Sequence, residues 1–166
     1  ILAVSRAPHI DAALSRQARR HTRALLEHFG YVGTFTVEYF VQGGRLLANE
    51  MAPRVHNSGH WSIEGAATSQ FANHVRAIAG LPLGSTATLG YAGMVNFIGK
   101  MPRAKDALAI PGLGFHDYGK AARPGRKLGH ATVVAATTAQ RERLLKAARA
   151  LQGVPAATAR AKPRHP

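Results

Sequence analysis

Thr34–Trp61 reads TFTVEYFVQGGRLLANEMAPRVHNSGHW, a stretch that folds back on itself and then turns polar. Thr34–Val41 is dense in β-branched and aromatic residues, Gly43-Gly44 supplies a turn and Arg45–Glu50 returns, so a β-hairpin is expected. Successive strand residues face opposite sides, which puts Thr36, Glu38 and Phe40 on one face. With the turn centred near residue 43, Phe40 opposes Leu46 and Glu38 opposes Ala48. Glu50 is then the diagonal neighbour of Glu38 on the same face, at about 7–8 Å. Two of only eight acidic residues are thereby brought together. Like charges that close repel unless a cation lies between them, and hard carboxylate oxygens suit Mg²⁺. A solvent-facing edge pair beside Arg45 is the plainer alternative.

The hairpin runs into Asn49–Trp61, which packs Glu50, Arg54, His56, Asn57, Ser58 and His60 around Pro53 and Gly59. An irregular polar loop on a rigid scaffold is where ligand groups are presented. Arg54 offers a planar fork for phosphate or carboxylate. His56 and His60 are four apart but without the helix that an HExxH zinc pair requires, so they suit a polar pocket better than a metal.

On the N-terminal side, Asp11–Phe29 reads as a helix with Leu14, Ala18, Leu25 and Phe29 inward and Arg16, Arg19, Arg20 and Arg23 outward, stopped at Gly30. On the C-terminal side, Ser62–Ala79 reads as a second helix with an apolar stripe of Ile63, Ala67, Phe71, Val75 and Ile78, ended by Gly80 and Pro82. Met94–Ile98 is a short strand and Lys100–Pro111 a linker or short helix. Gly112–His130 is the second dense polar segment, its basic residues gathered about Pro124-Gly125. That turn presents Lys120, Arg126 and Lys127 to one phosphate group, or is a solvated basic hairpin. Ala131–Ala136 is a strand. Thr138–Leu151 is a closing helix with Leu144, Leu145, Ala148 and Leu151 inward, and residues 153–166 read as a disordered tail.

The 166 residues amount to about one domain's worth of chain, 46% hydrophobic, with 22 Lys and Arg against 8 Asp and Glu. The absence of Cys excludes disulfides, thiol catalysis and Cys-ligated metals. No apolar run is long enough to span a membrane, and Ile1–His9 is not a signal peptide. The chain lacks an initiating Met, so a mature, trimmed or partial polypeptide is expected. The charge of +14 invites nucleic acid. Yet 16 of the basic residues are Arg and 31 positions are Ala, a bias that a GC-rich coding background also produces, and the basic residues fall in separate places. No phosphate-binding glycine loop, dinucleotide fingerprint or nucleophile elbow is present.

Asn49-Glu50-x-Ala52-Pro53-Arg54-x-His56-Asn57-Ser58-Gly59-His60-Trp61, then Ser69-Gln70-Phe71 and Leu81-Pro82-Leu83-Gly84, resembles the C-terminal half of the N5-carboxyaminoimidazole ribonucleotide synthase family, in the ATP-grasp superfamily. His116-Asp117-Tyr118-Gly119-Lys120 and Arg123-Pro124-Gly125-Arg126-Lys127-x-Gly129-His130 resemble that family's C-terminal domain. The resemblance covers roughly residues 8 to 150. It implies an α+β fold: the second half of an ATP-grasp domain over 1–90, a small β-rich, barrel-like C-terminal domain over 91–152, and the tail. It implies ATP and Mg²⁺ as cofactors, with Glu38 and Glu50 holding the metal and Asn49 with Glu50 facing the nucleotide. Arg54, His56 and Asn57 would act in catalysis, and Lys120, Arg126 and Lys127 would grip the substrate phosphate.

The implied reaction is cytoplasmic, ATP- and bicarbonate-dependent carboxylation of aminoimidazole ribonucleotide through carboxyphosphate, in an enzyme that dimerises at full length. Family members are roughly twice as long, so the chain is expected to be a fragment, inactive alone. A basic nucleic-acid-binding or partner-docking protein without catalysis is the alternative.

Overall fold

The computed structural model describes residues 3–8 and 11–153, and the expected tail lies almost wholly outside them. The chain begins with β1 (Val4–Ala7) and α1 (Ala12–Phe29), whose N-terminus is capped by the Asp11 carboxylate accepting from Leu14 N–H. Gly30 ends the helix in the left-handed conformation at φ 57°, as its sequence position requires. The hairpin is β2 (Thr36–Gln42) and β3 (Arg45–Ala52), turned by Gly43 and Gly44, both at positive φ.

The hairpin register differs from the expected one. Gln42 pairs with Arg45 and Phe40 with Leu47, one residue off the sequence reading, and a bulge at Asn49 then shifts the ladder. Beyond the bulge Glu38 pairs directly with Glu50. An extra residue in one strand moves everything past it by one step. The two carboxylates are therefore cross-strand partners rather than diagonal neighbours.

A 3₁₀ turn at Asn57–Gly59 leads to α2 (Ser62–Gly65) and α3 (Gln70–Ile78). The single helix expected over Ser62–Ala79 is thus two. Ser69 caps α3 by accepting from Ala72 N–H, Ser62 Oγ accepts from Gln70 N–H, and the intervening Ala66 pairs with Thr88. Two local serine bonds and a β-bridge outcompete helix continuation.

The rest is β4 (Tyr91–Ile98), α4 (Ala104–Leu108), β5 (Leu113–Asp117), β6 (Lys127–Ala135), α5 (Thr138–Ala150) and a final 3₁₀ turn at Leu151–Gly153. The barrel-like domain expected from the sequence does not form. The four strands make an open antiparallel sheet in the order β1-β4-β6-β5. Closure requires the two edge strands to meet. Here the edges are the four-residue β1 and the five-residue β5, held apart by β4 and β6, and α5 packs on the two central strands.

The core lies between that sheet and α5: Val95, Phe97, Ala131, Val133, Leu145, Ala148 and Leu151 are buried together. Gly93 of β4 sits under Leu145, where a Cβ would come within 2.7 Å of the leucine side chain. The closing helix keeps its expected inward residues, with Leu144 partly buried. By contrast no residue of α1 is fully buried, and Phe29, expected inward, is 58% exposed. Among the described residues no helix is long and apolar enough to cross a membrane.

Candidate active site

The hairpin, the loop after it and the start of β6 converge on one cleft of about 730 Å³, lined among others by Glu38, Asn49, Glu50, His56, Ser58 and Lys127. The bulge that aligns the two glutamates also delivers Asn49 to this cleft. His56 stands between them: Nδ1 is 3.5 Å from Glu38 Oε1 and Nε2 is 3.6 Å from Glu50 Oε1. Among the described residues neither carboxylate has a Lys or Arg within salt-bridge distance.

His56 is held from below. Gln70 Oε1 accepts from His56 N–H at 3.0 Å, while Gln70 Nε2 donates to the His56 carbonyl and meets His60 Nδ1, both at 2.8 Å. His56 Nδ1 also lies 2.9 Å from Ser58 Oγ. Asn57 does not enter the cleft lining. Its Oδ1 accepts from Lys127 Nζ at 3.0 Å and from Asn96 Nδ2 at 2.8 Å, and its Nδ2 donates to Asn96 Oδ1 at 2.8 Å. This amide pair holds the Lys127 ammonium, which lines the same cleft as the carboxylates.

A second cavity, about 410 Å³, adjoins β5 and is lined by His60, Ile63, Phe71, His116, Asp117, Tyr118, Lys120 and His130. Burial, aided by the neighbouring His116 and His60, pushes His130 down to about 3, so its imidazole is neutral. Burial likewise lowers His60 and raises the Tyr118 phenol. Lys120 Nζ lies 5.1 Å over the Tyr118 ring, a cation–π contact.

The residues singled out in the sequence are therefore distributed. Glu38, Asn49, Glu50, His56 and Lys127 share the first cleft, and Lys120 lines the second cavity. Arg126 lines neither, its Nη1 donating to the Ala121 carbonyl at 3.3 Å. Arg54 is exposed, its Nη1 donating to the Val55 carbonyl at 3.0 Å. The arginines of α1 lie along a separate shallow surface.

The sequence places Gln70 and Tyr118 in motifs without giving them a role, and it does not single out Asn96 or Glu64. A signal existed for Asn96, a lone amide inside the apolar run Tyr91–Ile98 and fully buried. None marked Glu64, one charge on a helical stretch.

Comparison with known proteins identifies the family. Residues 1–71 match the ATP-grasp domain, and residues 92–144 match the phosphoribosylaminoimidazole carboxylase C-terminal domain. The N5-carboxyaminoimidazole ribonucleotide synthase of Pseudomonas aeruginosa is 52% identical over 120 residues, covering 72% of this chain and 33% of that protein. That of Vibrio cholerae is 48% identical over 137 residues, covering 82% and 36%. The chain thus spans about a third of the length of these curated relatives.

The crystal structure of the Thermus thermophilus synthetase superimposes with a TM-score of 0.87 at 49% identity, over 91% of this chain and 42% of that one. The Aspergillus clavatus synthase in complex with ADP and 5-aminoimidazole ribonucleotide gives 0.83 at 36% identity, over 93% and 44%. With an ATP-grasp portion followed by that C-terminal domain, and with identities near one half to synthases from two bacteria, the chain belongs to the N5-carboxyaminoimidazole ribonucleotide synthase family of the ATP-grasp superfamily.

Proposed function

We propose that this chain provides the acidic wall of an active site for ATP- and bicarbonate-dependent carboxylation of 5-aminoimidazole ribonucleotide to the N5-carboxy product. The observation that carries the reading is the direct pairing of Glu38 with Glu50 across the bulged ladder. Two carboxylates on one face, with no Lys or Arg paired to either among the described residues, form a hard oxygen donor set that fits Mg²⁺. Held there, Mg²⁺ would neutralise charge on the ATP phosphates.

The reaction has two steps. A bicarbonate oxygen attacks the γ-phosphorus of ATP, the bond to the β-phosphate oxygen breaks, and ADP leaves with carboxyphosphate formed. The exocyclic amine of the ribonucleotide then takes the carboxyl carbon, inorganic phosphate departs and the amine loses a proton.

The chain's own residues have roles consistent with this. Lys127, oriented by Asn57, places positive charge beside the phosphoryl group in flight. His56, clamped by Gln70 between the two carboxylates, is poised to carry the amine proton. Asn49 offers an amide to the nucleotide. Arg54 is free to swing its guanidinium onto carboxyphosphate, and Lys120 and Arg126 would approach the ribonucleotide phosphate from the other side. The full-length enzyme in this reading is a cytoplasmic homodimer.

The test is a chimera in which this chain replaces the corresponding third of the Pseudomonas aeruginosa relative. ADP release that requires both bicarbonate and aminoimidazole ribonucleotide is expected, and Glu50→Gln should lower it by about a hundredfold or more. Unchanged turnover in a Glu38→Gln/Glu50→Gln chimera would sink the reading.

A further inference from the structure

A second set of metal-type donors lies away from the acidic cleft. His116 of β5 and His130 of β6 are direct partners in the ladder, so their rings project from the same face and stack at 4.3 Å with planes 13° apart. Glu64, in α2, reaches across to them: Oε1 is 2.5 Å from His116 Nε2. It can do so because residue 114 is glycine. A Cβ there would overlap the Glu64 carboxylate. One donor atom from each of Glu64, His116 and His130 falls within 4.8 Å of the others.

The donors are also incompletely used. Among the described residues, His130 Nε2 and Glu64 Oε2 are buried with no hydrogen-bond partner, and His130 as a whole is 1% exposed. Buried polar atoms in a folded protein are nearly always partnered, so both are open to a ligand from outside the chain. The other nitrogen of His130 is engaged: Nδ1 lies 2.8 Å from the Tyr118 hydroxyl. That is how histidine ligands are oriented in metal sites, with one nitrogen anchored and the other aimed at the ion. Glu64 and His116 remain partly exposed, and His116 borders the open Lys120 cavity, which gives an ion a way in.

We propose that Glu64, His116 and His130 form a binding site for a divalent transition metal of the zinc class, with two imidazoles and one carboxylate as ligands and Tyr118 as the positioning residue. Imidazole nitrogen selects such ions over Mg²⁺, which prefers the all-oxygen pair of the first cleft. Three protein ligands leave a fourth tetrahedral position facing the cavity. The ion would pin α2 to the sheet through β5 and β6. The proposal does not rest on the ligase reading, because it uses none of the residues assigned to carboxylation.

The experiment is Zn²⁺ titration of this chain, previously stripped with chelator, against a chromophoric competitor, with the ring protons of His116 and His130 followed by NMR. One equivalent is expected to bind, shifting both sets of ring protons. Glu64→Gln and His116→Gln, both at partly exposed sites and close in shape to the originals, should each weaken binding at least about tenfold, and Tyr118→Phe by about 10–100-fold. Glu38→Gln/Glu50→Gln should leave this affinity unchanged. The proposal is overturned if Glu64→Gln and His116→Gln bind Zn²⁺ as tightly as the parent chain. It is equally overturned if the Glu38→Gln/Glu50→Gln variant is the one that loses the ion, which would assign zinc to the acidic cleft.

Discussion

The hairpin β2–β3 and the central strands β4 and β6 are written in much the same alphabet, yet they end in opposite environments. Thr36–Gln42 and Tyr91–Ile98 are both rich in aromatic and aliphatic residues. In β4 every residue from Ala92 to Phe97 is buried, whereas in the hairpin only Ala52 is, and Phe40 and Val41 are each 60% exposed. The difference lies in what covers each face. β4 has a strand on either side and α5 packed against it, while the hairpin is covered in part, by α1 at Tyr39 and along part of β3 and by His56 of the loop that follows. Apolar patterning announces a strand, but burial is decided by other elements.

The sharpest way to break that comparison is a pair of truncations. Phe97→Ala should cost about 3–5 kcal/mol by urea denaturation, as expected for an aromatic lost from a sealed core. Phe40→Ala should cost no more than about 0.5 kcal/mol. Equal losses would mean that the hairpin face is as covered as the sheet. Next in size is Gly93→Ala, whose added methyl meets Leu145 and should destabilise by about 1–3 kcal/mol. In a Leu145→Ala background the same change should cost markedly less, a non-additivity that a double-mutant cycle reads directly.

A smaller effect is expected from Thr137→Ala, which removes the hydroxyl accepting from Gln140 N–H at the start of α5 and should cost about 1 kcal/mol in the same assay. The smallest concerns pH. Arg6 of β1 and Glu142 of α5 form a two-bond ion pair, both contacts 2.8 Å, and the guanidinium draws the Glu142 carboxyl down to about 2. A carboxylate lowered in the folded state stabilises above its ordinary pKa and loses that contribution as pH falls toward the folded value. Glu142→Gln should therefore flatten the acid limb of the stability profile between about pH 4.5 and 2 by a small margin, since the pair is exposed. An unchanged limb would assign acid sensitivity elsewhere.

Legibility followed locality. α1 with its Gly30 stop, α5 with its inward leucines and the Gly-Gly hairpin are all set by residues within a few positions of one another. Strand parity in the sequence implies that Glu38 and Glu50 are close but not that they pair directly, because a bulge at Asn49 has no marker such as glycine. The open sheet was missed because its first strand, Val4–Ala7, takes its place beside β4 only through distant pairing. The same holds for the Asn57–Asn96–Lys127 cluster and for Glu64 over Gly114, where partners come from separate elements and no spacing rule connects them.

That distant pairing has a consequence for how the chain comes together and comes apart. Val4 lies opposite Val95, so the whole stretch between them is a loop whose two ends are hydrogen-bonded neighbours in one sheet. Closing so long a loop is entropically expensive, and β1 has no strand to pair with until β4 has emerged from the ribosome. Conversely, a protease that nicks the exposed Leu81–Leu89 segment would not set the pieces free. β1 would keep its grip on β4, and the two fragments would migrate together until a denaturant separated them.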